Sequence, residues 1–216
     1  MKLTCTQENF SHGLGIVNRA VANRSTLPIT QNVLLTTDKS RLKLSATNLE
    51  IGITTWIGGD VDDEGAITVP ARLLSEFVNS LPSGNISLEL MPGTGVLELK
   101  CGNAEARING ADADEFPPIP AVDEGVGARI EQGILKRAIA RVAFAAATEE
   151  SRPVLTGVEV RLSAANFTVA AADGFRLAVQ HGSLMEQVDQ DVEVIIPART
   201  LNELGRLLGN QTDSVE

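Results

Sequence analysis

Arginines repeated along helical segments, and one Asp-Gly-Phe-Arg run, are the residues of this chain whose types and spacing could do chemistry. Arg137 and Arg141 stand four apart beside Lys136, while Arg19, Arg72, Arg199 and Arg206 fall on other segments of helical pattern. Guanidinium groups set along helices suit phosphate oxygens contacted without base readout. The same spacing also describes an ordinary solvated helix face. Asp173-Gly174-Phe175-Arg176-Leu177 reads as a turn between strands, with Gly174 allowing an unusual backbone angle and Leu177 entering the core. Read as chemistry, Asp173 and Arg176 would be the polar centre of an enzyme acting on a phosphorylated substrate. His12 and His181 have no Cys, Asp or Glu partner at metal-ligand spacing and read as surface polar residues. There is no nucleophile-elbow pattern and no GxxxxGK[ST] phosphate loop. No catalytic, metal or cofactor site is expected.

Elements must hold these residues, and the chain writes them out twice. Pro28 to Ile51 and Pro153 to Arg176 match without a gap at a spacing of 125 residues: Val33 falls on Val158, Leu35 on Val160, Leu42 on Phe167, Leu44 on Val169 and Asn48 on Asp173. Val69-Pro70-Ala71-Arg72 recurs as Ile196-Pro197-Ala198-Arg199 at a spacing of 127, followed by Leu74 and Leu81 against Leu201 and Leu208. Two blocks in one order argue for a duplicated domain. Ile86–Leu90, Val96–Leu99 and Ala106–Ile108 have almost no counterpart after Leu208, where Val215-Glu216 stands at the place of Leu88-Glu89. The expectation is a fragment: a complete unit at 1–122, a linker at 123–127, and a second unit at 128–216 lacking its last strands.

Each unit opens with a short strand and an amphipathic helix, from about Glu8 to Ala22 in the first and around Ile134, Leu135, Ala138, Ile139 and Val142 in the second. Strands of period two follow at 33–35, 42–44, 51–53, 158–160 and 167–169, with hairpins at 38–40 and 163–166. Pro70 and Pro197 are expected to occupy the first turn of a second helix, where a missing N–H costs nothing. The fold class is therefore α+β, each unit carrying two helices packed on antiparallel β-sheet.

Composition limits the rest. One Trp, no Tyr and six Phe leave an aliphatic core. Cys5 and Cys101 form no ligand spacing and read as free thiols of a reducing cytosol. The amino terminus has no apolar signal core, and no stretch reaches the roughly 18 apolar residues of a membrane span. A net charge of −10 weighs against nucleic acid as a sum. Its distribution weighs less: acids concentrate at 60–64, 112–115 and 186–193, expected as turns and linkers, while arginines sit on helices.

In these residues the chain resembles the bacterial sliding clamp, the beta subunit of DNA polymerase III. The motifs are Thr26-Leu27-Pro28-Ile29, Asn32-Val33-Leu34-Leu35, Thr68-Val69-Pro70-Ala71-Arg72 and Asp114-Glu115-Phe116-Pro117, then Ser151-Arg152-Pro153-Val154-Leu155-Thr156-Gly157, Ala172-Asp173-Gly174-Phe175-Arg176-Leu177-Ala178 and Ile195-Ile196-Pro197-Ala198-Arg199. The resemblance implies a processivity factor of three similar domains. Two chains would close head to tail around double-stranded DNA, helices lining the hole, in the cytoplasm and without a cofactor.

By the same resemblance, Arg24, Arg152, Arg72, Arg137, Arg141 and Arg199 would face DNA. Val154, Leu155, Gly174, Phe175, Arg176 and Leu177 would line the pocket for short clamp-binding peptides of DNA polymerase III, other polymerases and repair proteins, and a clamp loader would be a further partner. Ala172 departs from the Thr common in relatives, and the third domain and far pocket wall would be absent, which implies poor peptide affinity here. The fragment would be a monomer with the edge strand Glu105–Asn109 bare. An α+β enzyme centred on Asp173 and Arg176, and a duplicated protein-binding module, remain the alternatives.

Overall fold

The computed structural model describes residues 1–22, 26–120, 125–149, 151–209 and 213–216, which divide into two compact units, 1–120 and 121–216. The first runs β1 (Lys2–Thr6), α1 (Gln7–Val17), β2 (Asn32–Asp38), β3 (Arg41–Thr47), β4 (Gly52–Gly58), β5 (Asp60–Asp63), β6 (Ala66–Pro70), α2 (Ala71–Ser80), β7 (Asn85–Met91), β8 (Val96–Cys101) and β9 (Ala104–Asn109). The second runs β10 (Ile130–Glu131), α3 (Gln132–Val142), β11 (Gly157–Ser163), β12 (Asn166–Ala172), β13 (Leu177–Ser183), β14 (Val192–Pro197), α4 (Ala198–Leu207) and β15 (Ser214–Val215). All pairings are antiparallel, in the orders β5-β1-β7-β8-β9 and β4-β3-β2-β6, then β13-β12-β11-β14 and β10-β15. The α+β class stands, and β9 lies at a sheet edge.

The repeat holds residue by residue. Helices α1 and α3 begin at Gln7 and Gln132 and end at Val17 and Val142, and α2 and α4 begin at Ala71 and Ala198. Leu3 pairs with Leu88 in the first unit as Ile130 pairs with Val215 in the second. One face of each helix is buried, through Phe10, Leu14 and Val17 on α1 and Ala138, Ile139 and Val142 on α3. Period-two alternation sends Leu35, Leu42, Leu44, Val158, Phe167 and Val169 into the same two cores. Each large aliphatic or aromatic side chain so buried contributes about 1.5–3 kcal/mol of transfer free energy.

Several boundaries differ from expectation. The first helix stops at Val17 and tightens into a 3₁₀ turn at Asn18–Ala20, which carries Arg19. Pro70 and Pro197 are the last strand residues and the caps preceding α2 and α4, not first-turn positions. Both end strands whose partners are Asn32 and Gly157, where the ladder needs no further donor. Asp60-Val61-Asp62-Asp63, expected as a turn, is the edge strand β5 against β1. Val61 packs on the core while the aspartates blunt the exposed edge. Of the expected linker, Asp123 and Glu124 lie outside the described residues, and the contact boundary falls at Pro120.

Both cysteines are buried. Cys5 and Cys101 each oppose or adjoin Ile86 from strands on either side of β7, about 10 Å apart and too far for a disulfide. Burial pushes the Cys5 thiol up to about 12, so it is expected to resist alkylation in the native state.

Turn chemistry repeats as well. Asn48 Oδ1 accepts from Glu50 N at 3.0 Å and Ile51 N at 2.8 Å, and Asp173 Oδ1 accepts from Phe175 N at 2.9 Å and Arg176 N at 3.0 Å. The next residue is left-handed in both, Leu49 at φ 76° and Gly174 at φ 93°. Leucine is strained there and glycine is not. Leu49 is 62% exposed, so Leu49→Gly removes little packing. That change is expected to stabilise the first unit by about 0.5–1 kcal/mol, the strain relieved less the entropy added to the unfolded chain, read by denaturant midpoint.

Candidate functional site

The second unit's sheet has a helix-covered face and an outer face. Pairing Glu159 with both Ala170 and Ile195, and Ala170 with Val179, places these four on the outer face. At one end of that face Val154, Leu155, Ala172, Leu177 and Ile195 enclose a cleft of about 230 Å³, bordered by Glu159 and Glu193. Val154 is 66% exposed, Leu177 69% and Ile195 56%. Apolar walls with a few carboxylates at the rim are the ordinary form of a site for an apolar side chain.

A second cleft of about 170 Å³ lies beside it, lined by Ala146, Glu149, Ser151, Arg152, Asp173, Phe175 and Arg176. The Asp173–Leu177 turn is common to both. Arg152 Nη2 donates to Asp173 O at 3.4 Å, and a β-carbon on Gly174 would stand 3.1 Å from Arg152 Nη1. Gly174 is favoured by its backbone angle, and the Arg152 guanidinium lies close against it. Asp173 Oδ2 accepts from Arg176 Nε at 2.9 Å, and the Arg176 guanidinium lies 5.6 Å from the Phe144 ring centre.

The Asp173 carboxyl is held below its ordinary 3.8, first by the backbone N–H of Phe175, then by that of Arg176 and by the Arg176 charge. A carboxyl lowered in the folded state stabilises above its unfolded value and loses that contribution as pH falls through the folded one. Asp173→Asn keeps the acceptor, as Asn48 does in the first unit, and is expected to leave the neutral-pH melting temperature almost unchanged. It should also remove part of the melting-temperature loss expected below pH 3.8, whereas Asp173→Ala should lower the melting temperature at neutral pH.

On the helices, Arg137 and Arg199 are exposed and make no ion pair or side-chain hydrogen bond among the described residues. Arg141 Nη1 donates to Gln180 Oε1 at 3.2 Å, and Arg72 is joined to Glu76 at 2.8 Å. Arg206 is joined to Glu203. Lys136 Nζ caps α4 by donating to Leu208 O at 2.8 Å.

Duplicated units of this geometry are shared with known proteins. The family model for the N-terminal domain of the DNA polymerase III beta subunit matches residues 1–120, and that for its central domain matches 129–216. The chain belongs to the DNA polymerase III beta subunit family. Its similarity to the beta sliding clamp of Synechocystis sp. is 38% identity over 99% of this chain and 59% of that protein. With the Bacillus subtilis beta sliding clamp it is 30% identity over 100% and 59%. The solved Bacillus subtilis DNA polymerase sliding clamp superposes with a TM-score of 0.95 at 28% identity, covering 99% of this chain and 58% of that one. The Pseudomonas aeruginosa DNA polymerase III subunit beta gives 0.92 at 30% identity, covering 99% and 58%. The chain thus spans about 59% of the length of the curated relatives it matches.

Within this beta-subunit chain the expected pocket residues come together around one turn but not in one cleft. Val154, Leu155 and Leu177 line the first; Phe175 and Arg176 line the second, with Gly174 between. Leu177 is not in the core, because it opens the edge strand β13 on the outer face. Arg152, expected among DNA contacts, lines the second cleft and donates to Asp173 O. Arg24 lies outside the described residues. Asp173 and Arg176 are bonded to each other and to the backbone of their own turn. Among the described residues no three His, Cys, Asp or Glu gather as a metal site.

Ala170, Glu159, Glu193 and Ile195 were missing from the sequence reading of the site. Alternation along β11, β12 and β14 places them on the non-helix face. In the first unit Thr30, Ser45, Thr47 and Thr68, which match Leu155, Ala170, Ala172 and Ile195, are all buried, while Leu34 and Ala66, which match Glu159 and Glu193, are half-buried. Ala111 bridges Thr68, with Thr68 N donating to Ala111 O at 3.1 Å and Ala111 N to Thr68 O at 2.9 Å. The Ile119 side chain fills the notch at Gly52, the counterpart of Leu177, reaching within 2.7 Å of where a β-carbon would be.

Proposed function

We propose that this chain contributes two domains of a DNA sliding clamp, a non-catalytic, cytoplasmic processivity factor of DNA polymerase III. The observation that carries the reading is the matched pair of units, each presenting a two-helix layer with exposed cations in a chain of net charge −10. The relatives' printed names, beta sliding clamp, support it. Helix arginines would contact phosphates of double-stranded DNA without base readout, leaving a ring free to move along it. Arg137 and Arg199 are the best placed, since neither has to surrender a protein partner; Arg72 would first give up Glu76. The ring would be a homodimer set on DNA by a clamp loader. The cleft at Leu155 and Leu177, with Arg152, Gly174, Phe175 and Arg176 beside it, would hold the short clamp-binding peptide of the polymerase and of repair proteins.

The test is topological. This chain, fused after Glu216 to the remaining C-terminal part of the Synechocystis sp. relative, is loaded on nicked circular plasmid and the plasmid is then linearised. Retention on circles with loss from linear DNA supports the clamp; equal behaviour on both overturns it.

A further inference from the structure

Lys39, Arg41 and Lys43 lie within five residues of one another, in a unit (1–120) with 14 acidic residues against 9 basic ones. Lys43 stands opposite Trp56 across β3 and β4. Both belong to the alternation set opposite Leu42, Leu44 and Ile57, which are buried, so the pair faces away from the core. Trp56 is the only tryptophan of the chain, and it is 43% exposed. Two cations converge on its ring, the Arg41 guanidinium 5.6 Å and the Lys43 ammonium 5.5 Å from the centre. Its indole N–H donates to Asp38 Oδ2 at 2.7 Å, and Asp38 also lies 4.0 Å from Arg41 Nη2.

The indole is therefore fixed from three sides before any partner arrives, so little side-chain entropy remains to be lost on binding. Lys39 and Lys43 have no carboxylate partner among the described residues, although the acidic strand β5 follows β4 by one residue. Exposed Trp and Arg are the side chains that most often anchor protein interfaces. We infer that this patch is a docking surface for an acidic segment of a partner protein, whose carboxylates would be taken by Arg41, Lys43 and Lys39 around the Trp56 edge. A single-stranded nucleic acid fits less well: it needs a free aromatic face for base stacking, and here cations stand over the ring. The surface goes beyond the clamp reading and does not depend on it, because within the first unit it lies across the sheet from α2, which carries Arg72.

Trp56 reports its own occupancy. The chain is titrated with a short Glu/Asp peptide while tryptophan emission is followed, with oligothymidylate and inorganic phosphate as comparison probes. The expected result is a saturable emission change with the acidic peptide, weakened about tenfold or more by Arg41→Ala with Lys43→Ala, and weakened again by added salt. Lys39→Glu, outside the indole cluster, should weaken binding without disturbing the ring. The inference is overturned if the acidic peptide leaves the emission unchanged, or if the variants bind as well as the parent chain; a cluster that merely joins β3 to β4 would behave so. It is also overturned if oligothymidylate alone, or phosphate equally, produces the change. Each outcome is separable from failure of the clamp reading, since Arg137→Glu and Arg199→Glu should leave this titration untouched.

Discussion

Changing Arg137, Arg141 and Arg199 together to Glu is expected to lower duplex affinity by about a hundredfold or more and to flatten its salt dependence by about three units of slope. All three belong to the second unit and are exposed, so the variant should fold. Their removal takes away three phosphate contacts, each worth about one unit of log-log slope, and the reversed charges add repulsion. The control is Arg161→Glu. Arg161 is on the outer sheet face, joined to Glu159 at 2.9 Å and to Glu193 at 3.0 Å, and its loss should leave duplex binding nearly unchanged. Anisotropy of a labelled duplex across a salt series reads both quantities. An unaltered slope in the triple variant would remove these helices from the DNA interface.

Leu177→Ala should abolish most peptide capture while leaving the fold intact. Leu177 is 69% exposed in the absence of a partner, so truncation should alter stability by no more than about 0.5 kcal/mol. Filling the cleft with an apolar side chain would bury Leu177 against it, and losing that contact costs about 1.5–3 kcal/mol, or about 10- to 100-fold in affinity. Titration of the chain with a clamp-binding peptide, alongside a thermal melt, separates the two effects. Phe175→Ala should act through the neighbouring cleft and weaken a peptide only if that peptide spans both. Equal affinity of Leu177→Ala and the parent would move the site elsewhere.

Much of this was legible because the signals are local. The matched blocks at 28–51 and 153–176 record alternation within a strand and hydrogen bonds within a turn, and each is set by residues less than a turn or hairpin apart. Hence Asn48 and Asp173, aligned by sequence alone, make the same two backbone hydrogen bonds. Composition misled where local character and pairing disagreed. Asp60–Asp63 looks like a solvated turn, yet one inward Val61 and a free edge on β1 are enough for a strand. Leu177 looks like core, yet it faces outward from an edge strand.

By itself, then, the amino-acid order determined the duplication, the α+β class, the order of helices and antiparallel strands, and the turn at Asp173. Only the tertiary structure decided which outer-face residues meet at a cleft. Leu155, Ala170, Ala172 and Ile195 occupy the same register as Thr30, Ser45, Thr47 and Thr68; the first set borders a cleft, and in the second, all buried, Thr68 is bonded to Ala111. Burial depends on which distant segment arrives over a face, and local periodicity carries no record of that arrival.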